Sequence, residues 1–207
     1  MTRLRLYSMS IQRIIVCCLF YLLAQGMSAQ VLPIVEAEEL NLFESWERQQ
    51  NWEEHNDYDG RFRIFLPAKW DHRVDSVTTA IGDLAYHTYW LQTPTDTADN
   101  VMYMLSYVDY PEGALHHDST ELVTEFLDAS QEEAEKRMRG NLLFATPKER
   151  SGYPGRYWRI DYLDGQASVR TQAFIAGNRY YALQTVSKSN RGVNNSTDRF
   201  FDSLVLF

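Results

Sequence analysis

Beyond its first 29 residues this chain has no cysteine, because both of its two, Cys17 and Cys18, fall inside the leader. That excludes a disulfide framework, a thiolate nucleophile and a cysteine metal site in the remainder. Signature motifs are missing as well. There is no P-loop, no GxGxxG after a strand, no GxSxG and no HExxH. Basic charge is scarce: 20 Lys and Arg against 28 Asp and Glu give a net charge of −8. The leader holds Arg3, Arg5 and Arg13 and no acid, so the rest of the chain carries −11. Such a balance argues against nucleic acid and anionic membrane surfaces as partners. The apolar run Ile14–Ala24 has about eleven residues, whereas a bilayer span needs roughly 20.

What is present begins with that run. A basic n-region, the apolar run and then QGMSAQ predict a secretory signal peptide over residues 1–29. Cleavage after Ala29 is the first choice and cleavage after Gly26 the competing one; an uncleaved anchor is the alternative reading. Apolar residues continue past Cys17 and Cys18, which is the wrong context for a lipoprotein cysteine. A disulfide-free exported chain fits the periplasm or outer surface of a bacterium. No stable membrane insertion is expected after cleavage.

Residues 30–57 form an acidic arm. Leu40, Phe43 and Trp46 recur at helical spacing, which predicts a short helix over Glu38–Gln50. The arm is expected to pack an aromatic stripe on the domain; a partner-binding segment is the sharper alternative. The domain is placed at residues 58–207 and opens at the Asp59–Gly60 turn. Phe62, Ile64 and Leu66 alternate with Arg61, Arg63 and Phe65 in a strand that Pro67 ends. Further strands are expected at Arg73–Thr79, Leu84–Gln92 and Val101–Tyr110, with a polar loop at 93–100.

One long helix is predicted over Ser119–Arg139. Asp118 and Glu121 have capping-box spacing. Leu122, Val123, Phe126, Leu127, Ala134 and Met138 form its apolar stripe, and Gly140–Asn141 ends it. A strand at Leu142–Lys148 leads into the strongest signal in the chain, a three-stranded meander. Its runs Gly155–Leu163, Ala167–Ala176 and Arg179–Val186 alternate with period two, and Asp164–Gly165 and Gly177–Asn178 supply two-residue turns. A short helix is expected near Asn194–Phe201. The sequon-like Asn194-Asn195-Ser196-Thr197 reads as its polar start.

No constellation of residues spells out a reaction. The five histidines are His55, His72, His87, His116 and His117. His116-His117-Asp118 is best read as a capped polar loop, since adjacent histidines rarely bind one ion together. Asp161 is expected to pair with Arg159 or Arg170 rather than to serve as half of a glycosidase-like acid pair. Arg150, Arg156, Arg159, Arg170, Arg179 and Arg191 concentrate in the last third, either as simple alternation out of the pleat or as a face for an acidic partner. No catalytic residue, metal ligand or cofactor is assigned. Trp70, His72, His116, His117, Tyr153 and Arg156 are the binding-surface candidates, and the loops 67–72, 93–100 and 110–118 are where a site is sought first.

The order GRFRIFLPAKW, MLSYVDYP, a helix, GYPGRYWRI, RTQAFIAGNRYYALQTV and RFFDSLVLF resembles the PsbP-like superfamily over residues 58–207. Its most specific parts are Tyr153-Pro154-Gly155-Arg156, Gly177 to Tyr181, and Phe200 to Leu204. The resemblance implies an α+β fold: an antiparallel sheet of about six strands flanked by helices on both faces, an α/β/α sandwich. It also implies non-enzymatic binding or assembly. The expected function is an exported envelope module of that kind, with a protein partner. The alternatives are a carrier of an apolar small ligand between sheet and helix, and a hydrolase with dispersed Asp and Glu residues.

Overall fold

The computed structural model describes residues 45–94 and 96–207. The leader 1–29, with Cys17 and Cys18, and the start of the acidic arm, with Leu40 and Phe43, lie outside the described residues. The elements run in the order α1 (Trp46–Gln49), β1 (Glu53–Asp57), β2 (Phe62–Leu66), β3 (Asp71–Thr79), β4 (Gly82–Gln92), β5 (Met102–Asp109), α2 (Thr120–Met138), β6 (Asn141–Arg150), β7 (Tyr153–Tyr162), β8 (Ala167–Ala176), β9 (Arg179–Lys188), α3 (Asn195–Asp202) and β10 (Val205–Leu206).

Seven strands form one antiparallel sheet in the order β3-β4-β5-β9-β8-β7-β6. Helix α2 carries the chain from the sheet's middle to its far edge, and hairpins bring it back until β9 pairs with β5. The α+β antiparallel architecture is the one expected. The count of about six strands is corrected to seven, and a second sheet of three strands, β1-β2-β10, is added. The acidic run Glu53–Asp57 is a strand paired with β2, not part of a lead-in arm, so Asp59–Gly60 is a hairpin turn rather than a domain boundary. Its composition (Glu, Glu, His, Asn, Asp) lacks the apolar alternation that marks β2.

Period two divides each central strand between two cores. One face presents Tyr86, Val108, Trp158, Ile160, Ile175 and Tyr180 to the stripe Val123, Phe126, Leu127 and Ala134 of α2. The other presents Tyr103, Leu105, Phe174 and Leu183 to Phe62, Ile64, Phe200, Phe201 and Leu206 of the small sheet and α3. Helices therefore do lie on both faces, as expected, but on the second face α3 shares the work with the small sheet. Gly155 sits where β7 meets β8 so closely that a Cβ would fall 2.2 Å from the Ala173 carbonyl oxygen.

Three local details differ from the sequence reading. The capping box at Asp118 does not form: Ser119 is the N-cap of α2, and the Asp118 carboxylate lies 3.4 Å from His116 and 3.3 Å from His117 instead. Arg139, not Gly140, takes the left-handed position that ends α2, with φ 48°. The β7–β8 loop is wider than Asp164–Gly165, because Tyr162 pairs with Ala167 and leaves the four residues 163–166 between. The Gly177–Asn178 turn is a two-residue turn as read, since Ala176 pairs with Arg179. Asn194 caps α3 by accepting a hydrogen bond from the Thr197 N–H at 2.7 Å.

The end of the acidic arm is locked to the domain. Glu47 of α1 is 1% exposed. Its carboxylate accepts hydrogen bonds from the N–H groups of Asp99 (2.8 Å) and Asn100 (2.9 Å) and from the Tyr103 hydroxyl (3.0 Å). Asn100 is itself a hub. Its amide donates to Tyr103 at 2.8 Å and accepts from Thr197 at 2.8 Å. The polar loop 93–100 is thus buried in part, joining α1, the sheet and α3.

Candidate functional site

Alternation along four adjacent strands sends His72 and Val74 of β3, His87 and Tyr89 of β4, Tyr107 and Asp109 of β5, and Arg179 and Tyr181 of β9 to one face. In register, His72 opposes Tyr89, His87 opposes Tyr107, and Asp109 opposes Arg179. The small sheet covers only part of this face. His55 of β1 stands edge-on to Trp70 at 5.1 Å and to Tyr89 at 6.1 Å.

The result is a ladder of stacked rings. His72 lies 4.0 Å from Tyr89 with planes 9° apart, and His87 lies 4.3 Å from Tyr107 with planes 12° apart. The two imidazoles are 5.5 Å from each other. Arg179 closes the ladder. Its guanidinium sits 4.4 Å over the Tyr107 ring, grips Asp109 through Nε (2.7 Å) and Nη2 (2.5 Å), and donates to the Asp59 carbonyl at 2.7 Å. The Tyr181 hydroxyl donates to the Gly60 carbonyl at 2.7 Å. Asp57 accepts from the Tyr89 hydroxyl and, at 2.6 Å, from the Gly60 N–H. The Tyr107 hydroxyl and His87 Nδ1 are 2.9 Å apart.

The groups that shift here move away from pH 7. Burial lowers His55, against the opposing pull of Asp57. Burial, then His72 and Arg179, lower His87. Burial and the Asp57 carboxylate raise Tyr89, and burial pushes Tyr107 up to about 12. Burial works to raise Asp57 and Asp109, but hydrogen bonds from Tyr89 and from Arg179 bring the two carboxyls below their ordinary values. At pH 7 the His55 and His87 imidazoles are therefore neutral, the Tyr89 and Tyr107 phenols protonated and the Asp57 and Asp109 carboxylates charged. Because His55 and His87 bind protons less readily when folded, their contribution to stability is present above pH 6.5 and is lost as pH falls below it toward their folded values. The urea midpoint is expected to drop between about pH 7 and pH 5.5, and the double variant His55→Gln/His87→Gln to flatten that slope. An unchanged slope in the variant would assign the acid sensitivity elsewhere.

Beside the ladder lies an open groove of about 310 Å³, lined by Glu53, Glu54, His55, Leu66, Ala68, Lys69 and Trp70. Of the residues singled out from sequence, Trp70 and His72 meet at this place. His116, His117 and Tyr153 form a separate group, with His117 5.3 Å from the Tyr153 ring. Arg156 lies apart from both, 2.5 Å from Asp128 on α2. His55, Asp57, His87, Tyr89, Tyr107 and Asp109 are not among the sequence candidates, and Arg179 enters there only with the other arginines of the last third. The signal was there in the same-face recurrence of His87 with Tyr89 and of Tyr107 with Asp109.

The donor atoms of His116, His117 and Asp118 all fall within 4.8 Å of one another. Yet His117 Nδ1 accepts the Gly177 N–H at 3.1 Å, which leaves its proton on Nε2, facing Asp118. A metal-ligating histidine normally donates from its second nitrogen, so this loop is built as a hydrogen-bonded corner and does not fit an ion. Nor do the arginines of the last third make an open cationic face. Arg150, Arg156, Arg159, Arg170 and Arg179 each pair with a carboxylate, in turn Asp202, Asp128, Asp161, Asp198 and Asp109. Between α2 and the sheet, Phe126, Leu127 and Trp158 fill the space an apolar ligand would need.

Fold and site define a class: an antiparallel α+β sandwich whose second face ends in a half-open aromatic ladder. No family model matches the chain, and no curated protein matches it in sequence. Among solved structures it is similar to cyanobacterial PsbP from Synechocystis sp. PCC 6803, with a TM-score of 0.42 and 9% identity over 85% of this chain and 100% of that one. It is also similar to a Bacteroides thetaiotaomicron VPI-5482 protein (TM-score 0.41, 11% identity, 71% of this chain) and to a Pseudomonas aeruginosa protein of unknown function (TM-score 0.36, 9% identity, 68% of this chain and 85% of that one). The chain spans 45% of the length of the Bacteroides protein. No helix among the described residues is long and apolar enough to cross a membrane.

Proposed function

We propose that the protein is an exported, non-enzymatic binding or assembly module of the bacterial envelope, and that it meets a protein partner through the ladder face and its groove. The observation that carries this reading is the set of protonation states. A general acid or base works best with a pKa near the working pH. Here burial, ion pairing and hydrogen bonds hold His55 and His87 neutral, Tyr89 and Tyr107 protonated and Asp57 and Asp109 charged. Such groups present a fixed pattern of donors and acceptors, which suits recognition. Asp57 and Asp109, the two carboxylates of the ladder, are already held by Tyr89 and Arg179.

Val74 is the exposed apolar residue of this face, and His72 stands beside it exposed. A photo-crosslinker placed at Val74 is expected to trap one envelope protein reproducibly, and the variant His72→Asp to reduce that yield at least tenfold. Equal trapping by a crosslinker placed at Leu143, on the far edge of the sheet, would overturn the assignment of the face.

A further inference from the structure

The small sheet has an unfinished edge. In the order β1-β2-β10, strand β1 is outermost. Among the described residues, no backbone group outside the sheet bonds to it. Every second N–H and C=O of Glu53–Asp57 therefore faces outward, as a template for another strand. The far edge of the large sheet is less suited, because β6 carries Pro147 and a register shift between Leu142 and Phe144. At the near edge, Arg73 and Asp75 of β3 pair with each other at 2.8 Å and so present no net charge.

The chemistry of the β1 edge is one-sided. Glu53, Glu54 and Asp57 supply three carboxylates in five residues with no lysine or arginine. Arg63 of β2 lies 3.7 Å from Glu54 and the Tyr89 hydroxyl donates to Asp57, which leaves Glu53 as the carboxylate without such a partner among the pairs described. A second copy of this chain would set acid against acid there, and like charges directly opposite destabilise a strand pair. A cationic strand meets the reverse situation. The groove that starts at Glu53 and Glu54 is walled by the Trp70 indole, the aromatic face best suited to a guanidinium or ammonium. Lys69 is the one cation of the lining, set against Glu53 and Glu54, and His55, which also lines it, is neutral at pH 7 and does not repel a basic group.

We infer that β1 accepts an extended segment of the partner protein bearing lysine or arginine, which adds to the small sheet as a further strand and seats a basic side chain in the groove against Trp70. This rests on the reading that the protein is a binding module, and it names the partner's chemistry at that face. Main-chain hydrogen bonds supply affinity, and the acids select charge.

The probes are three capped hexapeptides: alternating lysine and threonine, alternating glutamate and threonine, and the lysine peptide with alternate amides N-methylated. Each is titrated into the ¹⁵N-labelled purified protein. The lysine peptide is expected to shift the amides of Glu53–Asp57 and the Trp70 indole N–H. The N-methylated copy should bind at least tenfold more weakly, and the glutamate peptide should leave β1 unmoved. Glu53→Lys/Glu54→Lys, at two exposed positions, should exchange the preference for lysine with one for glutamate while the rest of the spectrum stays unchanged. Equal binding of the methylated peptide would reduce the effect to surface charge, and shifts confined to other strands, or none, would overturn the inference. If β1 stays silent while the Val74 crosslink still depends on His72, the edge is excluded and the binding reading stands.

Discussion

Glu47→Ala is expected to lower the stability of the protein by about 3 kcal/mol, seen as a reduced urea midpoint with little change in slope. The carboxylate is buried, and three donors converge on it from Asp99, Asn100 and Tyr103. Removing it leaves those donors without a partner in a place water reaches poorly, and the cost of an unmade buried bond exceeds the net worth of a made one. The damage should spread along the network. Asn100 holds Tyr103 and Thr197, and the Trp52 indole donates to the Glu47 carbonyl at 3.0 Å. Amide exchange should therefore quicken at Asp99 and Asn100 before it does in β8. Glu47→Gln keeps one acceptor oxygen and the shape, so a loss of about half that size is expected. If alanine costs less than about 1 kcal/mol, the arm is not held through this carboxylate.

Trp158→Ala is expected to cost about 4 kcal/mol, the loss of a buried tryptophan plus the cavity left behind. Trp158 is 2% exposed and packs with Ile160 under the stripe of α2. The hole would be apolar and closed, and free indole is expected to fill it and raise the midpoint again. Indole should do nothing to the unaltered protein, because the Trp158 side chain itself occupies that place. A midpoint raised by indole in the unaltered protein would revive the idea of a carrier between sheet and helix. Together the two variants separate the filled face of the sheet from the face that is joined by polar bonds.

Much of the fold was legible in the sequence. The meander is legible because Trp158, Ile160 and Tyr162 alternate with Tyr157, Arg159 and Asp161, and because Gly177 supplies the positive φ its turn needs. Helix α2 is legible from its stripe. Strand β1 is not, because its five residues are acids, histidine and asparagine, and only its pairing with β2 across the hairpin, from Glu53 with Leu66 to Asp57 with Phe62, makes it a strand. The site is half legible for a related reason. Trp70 and His72 stand out in the stretch 67–72 that the sequence reads as a loop, although His72 is on β3, but Asp57, His87, Tyr107 and Arg179 come from strands far apart in the chain. Alternation says that His87 and Tyr89 share a face; it cannot say that β9 will bring Arg179 beside Asp109. The capping box at Asp118 fails because two neighbouring imidazoles compete for the same carboxylate.

The small sheet has a kinetic consequence. Its β2 strand is held on one side by the hairpin with β1 and on the other by the chain's last residues, and the Phe65 N–H donates to Ser203 Oγ across 138 residues. Contacts between residues so far apart in sequence carry a large loop-closure entropy and form late. Hairpins such as β7–β8 and β8–β9 need no such wait. Folding should therefore proceed from the meander outward, with β1 and β2 pairing locally and the three-stranded sheet completed over the ladder face only after β10 has arrived. Until then Phe62, Ile64, Phe200 and Phe201 are exposed together. That interval is when the chain is most open to aggregation or to a chaperone, and it closes with the same step that completes the face.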